Sequence, residues 1–134
     1  MSDERRALVE YRLARARESL LEADALAERN YWNTAVSRLY YACFYAIGAA
    51  LLARGLASPK HSGVRALFNR ELVRTGLVSA DLGQLYNDLF RHRQRSDYED
   101  FVRFEEGQVR PWLTQAREFV AALEPLAQPQ HDTG

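Results

Sequence analysis

The run from Trp32 to Gly55, WNTAVSRLYYACFYAIGAALLARG, is apolar on almost every side at helical spacing. A helix without a polar face must be covered all round. In a chain of 134 residues the simplest cover is a set of other helices, which makes this run the centre of a bundle. The rest of the chain supports that reading. Gly and Pro are few, the apolar period is 3.6 nearly throughout, and strand-like alternation is almost missing. A membrane span is the competing reading. Ser37, Arg38 and the aromatic Tyr40, Tyr41, Phe44 and Tyr45 inside Ala35 to Leu52 fit a buried core helix better.

Five helices are predicted. The first runs from Asp3 to Glu28, with Val9, Leu13, Ala16, Leu20, Ala23 and Ala27 forming one seam at steps of four and three. Its small residues allow a close neighbour, and Asn30 ends it. The second runs from Trp32 to Arg54, with Gly55 as its C-terminal cap. A loop from Leu56 to Gly63, interrupted by Pro59, leads to a short third helix from Val64 to Arg74, closed by Gly76. Ser79 or Asp81 caps a fourth helix that reaches Gln94. The fifth runs from Glu105 to Leu126, with Trp112, Ala116, Phe119, Leu123 and Leu126 along its seam. Pro111 either sits in its first turn or kinks it. The fold class is therefore all-α, an up-and-down four-helix bundle with a short additional helix on the long link. Residues 1–127 form one domain and residues 128–134 a disordered tail.

Eighteen basic residues balance eighteen acidic ones. That balance argues against a monomer that coats nucleic acid nonspecifically, and leaves room for a local phosphate site. Cys43 is the only cysteine, so no intramolecular disulfide forms, and its apolar setting makes it a small core residue. The polar N-terminus, with no apolar run behind it, reads as cytoplasmic rather than secreted. No metal is expected, because no Glu-x-x-His pair occurs and His61, His92 and His131 fall on a loop, a helix end and the tail. No glycine-rich phosphate loop is present. Arg65, Arg70 and Arg74 on the third helix suit a bundle surface better than a DNA-reading helix.

The chemistry concentrates in Leu89-Phe-Arg-His-Arg-Gln-Arg-Ser-Asp-Tyr-Glu-Asp-Phe101. Leu82, Leu85, Tyr86, Leu89 and Phe90 make an apolar stripe, and Arg93 continues it. A guanidinium there is costly unless it is paired or faces a cleft. With Asp97 nearby and Tyr98 just past the predicted helix end, Arg93 is either a buried strut or an anion site. A strut predicts a loss of about 3–5 kcal/mol on removal of one partner. A cleft residue predicts near-normal stability in Arg93→Ala, and this is the outcome expected. Arg91 and Arg95 read as solvated cations at a helix C-terminus. On the second helix Tyr40, Tyr41 and Tyr45 fill core volume, while Arg38 requires an acid, a carbonyl or a phosphate, with Asp97 as its structural candidate.

With these residues in view the chain resembles the HEPN family of small all-helical domains. The resemblance covers Tyr11 to Leu123 in four blocks: Tyr11 to Leu20, Tyr31 to Ala46, Lys60-His-Ser-Gly-Val64, and Leu89 to Phe101. It implies a helical bundle that forms a homodimer. It also implies the toxin component of a toxin–antitoxin pair, encoded beside a minimal nucleotidyltransferase that acts as antitoxin. Active members are metal-independent endoribonucleases that use no cofactor, and their motif is an arginine followed four to six residues later by a histidine. Arg93 matches the arginine, but the position five residues on is Tyr98. This chain resembles the Arg-x4-Tyr branch.

On that resemblance Arg93 binds the RNA phosphate and Asp97 orients it, with Tyr98 and His92 as the remaining candidates for the chemistry. Arg38 and Asn33 line the cleft, and Arg91 and Arg95 draw RNA in. A tyrosine, with a pKa near 10, is a poor base beside a histidine near 6.5. Loss of acid–base help costs about a hundred- to ten-thousand-fold. Tyr98 is also the candidate for AMP transfer by the partner nucleotidyltransferase, which would set negative charge beside Arg93. The alternatives are a non-catalytic module binding a nucleotide or the nucleotidyltransferase, and a purely structural knot.

Overall fold

The computed structural model describes residues 1–128 and contains five α-helices: α1 Asp3–Glu28, α2 Trp32–Ala53, α3 His61–Phe68, α4 Ala80–Tyr98 and α5 Glu106–Leu123. A π-helical turn, Asn69–Val73, extends α3, and a 3-10 turn, Glu124–Ala127, extends α5. The expected tail, with His131, lies outside the described residues apart from Gln128.

The helix starts follow from their caps. Ser2 accepts the Arg5 N–H, Ser79 accepts the Leu82 N–H at 3.2 Å, and Glu105 and Gln108 form a reciprocal capping box. Gly55, at φ 76, ends α2 in the left-handed region as expected of its C-terminal cap. Helix α2 is the central element. Val36, Leu39, Tyr40, Cys43, Ala46, Ile47 and Ala50 are buried on it, against Phe68 and Leu72, Tyr86 and Leu89, and Phe119 and Leu123. It is long and apolar enough to cross a membrane, but most of it is covered by the other helices. Ala16, Ala23 and Ala27 of α1 meet its small residues, so these two helices form the most extensive pair in the fold.

Three expectations about boundaries are corrected. The third helix begins at His61 rather than Val64, so the histidine moves from a loop into a first turn. The fourth helix runs past Gln94 to Tyr98. Ion pairs at i,i+4, Arg93 with Asp97 and Arg95 with Glu99, bridge that last turn and favour its helical form. Finally, the regular part of α5 ends at Leu123, and Pro111 lies in its second turn. The missing proline N–H breaks one backbone bond there, yet the helix continues.

Candidate functional site

Helices α2, α3 and α4 converge on a cluster of rings around the Arg93 guanidinium. Tyr40 and Tyr41 stand side by side on α2, edge to face at 5.2 Å. Arg93, from α4, lies over both, with its guanidinium carbon 5.0 Å from the Tyr40 ring centre and 5.2 Å from that of Tyr41. Its terminal nitrogen donates to the Tyr41 hydroxyl at 3.1 Å. Its Nε sits 3.1 Å from an Asp97 carboxylate oxygen, but at an angle that makes no hydrogen bond, so Nε is buried without a hydrogen-bond partner. Arg93 is thus 18% exposed, stacked on two rings and charge-paired through its buried Nε.

Two more guanidiniums flank the cluster. Arg38 stacks over the Tyr41 ring at 5.0 Å, and Arg65 over the Phe90 ring at 4.3 Å. The expected Arg38–Asp97 pairing is corrected here: Asp97 pairs with Arg93, and Arg38 rests on an aromatic face instead. Arg65, read from the sequence as a surface residue, packs against the aromatic cluster. Three guanidiniums gather around the rings, with Asp97 as the carboxylate paired to Arg93, which gives the patch a positive field suited to an anion.

The structure also brings in His61. Its Nδ1 lies 2.7 Å from the Tyr40 hydroxyl, and its ring stacks on Phe44 at 4.4 Å and 11°. Tyr40 is fully buried, and Tyr86 donates to its hydroxyl at 3.5 Å. Burial pushes both phenols up, so each stays protonated. Burial also lowers the His61 pKa, and the neighbouring Arg93 charge lowers it further. A histidine 32 residues before Arg93 carries no spacing signal toward it. The hints in the sequence are its place in the Lys60-His-Ser-Gly-Val64 block and the glycine two residues later. A Cβ on Gly63 would lie 2.0 Å from the Ser58 hydroxyl oxygen, and Ser58 in turn accepts the Lys60 N–H at 3.3 Å. The Lys60-His-Ser-Gly block therefore packs a tight entrance that presents His61 to Tyr40.

The other sequence candidates fall elsewhere. His92 faces α5, with its ring 4.8 Å from that of Trp112 and 5.5 Å from that of Phe104, and its buried Nδ1 lacks a hydrogen-bond partner. Burial is the main cause that lowers its pKa. Asn33 donates to the Val102 carbonyl at 2.8 Å and accepts the Phe104 N–H at 2.9 Å, pinning the segment after α4 to the start of α2. Tyr98 is 82% exposed at the end of α4 and lines a shallow surface with Arg91, Gln94, Arg95 and Glu99. It is one turn beyond the rings that hold Arg93. Arg91 pairs with Asp88 and Arg95 with Glu99 on the outer face. Among the described residues no group of three or more His, Cys, Asp or Glu side chains comes together to hold a metal ion.

The chain matches the family model of the HEPN domain over residues 9–126. It is 47% identical over 124 residues to a "UPF0332 protein" of Thermotoga maritima, an alignment covering 92% of this chain and 94% of that one. It is also similar to two proteins of Methanocaldococcus jannaschii. The one named "Putative toxin MJ0142" is 33% identical over 65% of this chain and 59% of its own length. The one named "Putative toxin MJ0605" is 34% identical over 62% of each.

Proposed function

Since this chain belongs to the HEPN domain family, we propose that it is a toxin of that family, a metal-independent endoribonuclease that works in the cytoplasm, in the cleft of a homodimer. The observation that carries the reading is the setting of Arg93: a partly exposed guanidinium seated on two tyrosine rings, with two further guanidiniums on the neighbouring rings. A planar fork in such a place binds a phosphate bidentately and stabilises the charge that grows on it during cleavage. Asp97 orients Arg93, Arg38 adds charge at the edge, and Asn33 fixes the segment that closes the end of α4. Arg91 and Arg95 lie on the outer face, where they raise the local concentration of RNA. His92, turned toward Trp112, takes no part in this reading.

Tyr98 is the proposed point of control. Its exposed phenol is open to a nucleotidyltransferase, and an AMP there would put bulk and negative charge among Arg91, Arg95 and Gln94, on the approach to the site. The same exposure favours a second reading, in which the chain is a non-catalytic module that binds a nucleotide or that partner enzyme through Tyr98 and the fully exposed Phe101. The two separate in a cleavage assay with a chelator present. The first predicts that the purified chain cuts RNA and that Arg93→Ala does not. Absence of cutting by the wild type would leave the binding module.

A further inference from the structure

The proposed reaction needs a group that takes a proton from the attacking hydroxyl and one that gives a proton to the leaving oxygen. At the end of α4 the position five residues after Arg93 holds an exposed phenol, a poor base at neutral pH. His92 points away from this cluster, toward Trp112. His61 is the described histidine that shares its surroundings with Arg93. Both side chains lie against Tyr40 and Tyr41: the guanidinium 5.0 and 5.2 Å above the ring centres, the imidazole 5.9 and 6.1 Å from them.

We propose that His61 is the acid–base residue of the Arg93 site, supplied from the start of α3 in place of a histidine on α4. The assignment rests on the RNA-cleaving reading above. Three features of the geometry support it. The Tyr40 hydroxyl, 2.7 Å from Nδ1, and the Phe44 ring stacked at 4.4 Å together fix the orientation of the imidazole. Orienting one ring nitrogen through a hydrogen bond is how a protein sets which nitrogen is left for chemistry. In the tautomer in which Nδ1–H donates to Tyr40, Nε2 carries the lone pair, and among the described residues no hydrogen bond engages Nε2. The tyrosines behind it extend the order inward, since Tyr86 donates to Tyr40 at 3.5 Å. Burial and the Arg93 charge keep the imidazole neutral near pH 7, the form that accepts a proton.

The step balances without any further reagent. Nε2 takes the proton of an RNA 2′-hydroxyl. The 2′-oxygen forms a bond to the adjacent phosphorus, and the bond from phosphorus to the 5′-oxygen breaks. The imidazolium returns its proton to that 5′-oxygen. The products are a 2′,3′-cyclic phosphate and a 5′-hydroxyl. Arg93 holds the non-bridging oxygens while their charge rises.

The test uses the full chain with a defined RNA oligonucleotide and a chelator. It compares the wild type with His61→Asn, His61→Gln and Arg93→Ala, and reads folding by circular dichroism. His61→Asn keeps a polar atom near Tyr40, and His61→Gln keeps more of the bulk against Phe44. The expected result is a fall in cleavage of about a hundred- to ten-thousand-fold in both histidine variants. Affinity for the RNA should stay within a few-fold, and imidazole added to the buffer should restore part of the rate. Wild-type cleavage matched by folded His61 variants would overturn the assignment to His61 and leave the Arg93 reading standing. Misfolding of both variants, with no rescue, would make His61 a packing ring and overturn the assignment as well. No cleavage by the wild type would overturn the RNA-cleaving reading itself, and this one with it.

Discussion

Arg93 is held from three sides, and each hold has a size. The hydrogen bond from a charged donor to Tyr41 contributes about 1.5–3 kcal/mol, and the ring stacking about 0.5–1 kcal/mol at this partial exposure. The pair with the half-exposed Asp97 adds between zero and about 1 kcal/mol. Arg93→Ala is therefore expected to cost about 2–5 kcal/mol, which lowers the unfolding midpoint by roughly 7–18 °C. This replaces the near-normal stability expected from the sequence, because Tyr41 gives Arg93 a structural hold that spacing along α4 does not reveal. An unchanged midpoint in a thermal melt would contradict the three-sided hold.

A pH dependence follows at the same scale. His61 and His92 both titrate below the ordinary histidine range, chiefly because each is partly buried. Between about pH 6.5 and their lower folded values the unfolded chain binds protons that the folded chain does not. Stability therefore holds above pH 6.5 and falls as the pH drops through that window. The unfolding midpoint at pH 5.5 should lie below that at pH 7.5, and the gap should narrow in a His61→Gln, His92→Gln double variant. A gap of the same size in the double variant would place the effect elsewhere.

Among the elements, α3 carries the most consequence for its length. Its first turn delivers His61, and the close approach of Ser58 to Gly63 sets where that turn begins. In Gly63→Ala the new methyl would collide with both the Ser58 side-chain oxygen at 2.0 Å and its Cβ at 2.9 Å, so the loop itself must move. The expected outcome is a folded chain with lower stability and a displaced His61, read as a changed His61 imidazole signal by NMR. An unaltered imidazole signal would show that the entrance does not position the ring. The long helices were legible in the sequence because their stripes are long: the all-round apolar α2 and the Ser79 cap of α4 stand where the pattern put them, and so does the seam of α1 except that Ser19 is fully buried where Leu20, only partly buried, was expected. The end of α4 was not, because ion pairs across one turn carry the helix through Ser96 and Asp97, where the polar run suggests a stop. Nor was the site complete. Arg93 and Asp97 could be read from one short stretch of sequence, but Tyr41 and His61 reach the site only through the packing of α2 and α3 against α4.

For the molecule as a whole, balanced charge and a local cluster of guanidiniums belong together. A net-neutral chain has little general attraction for RNA, so affinity must come from a site that concentrates its positive groups. Two copies facing one another would double that concentration. Phe101, fully exposed and held at φ 65, stands beyond the end of α4, an apolar side chain of the kind a second copy would cover. Light scattering at micromolar concentration is expected to give a dimer, and Phe101→Asp to shift it toward monomer. A monomeric wild type would contradict the shared cleft.

The central claim is that Arg93 organises a site for cleaving RNA without metal. The most direct measurement is an end analysis of the fragments released from a defined RNA oligonucleotide with a chelator present, for the wild type beside Arg93→Ala. The account predicts 2′,3′-cyclic phosphate and 5′-hydroxyl ends from the wild type and no fragments from the variant. Equal fragments from both, or none from the wild type, would contradict it.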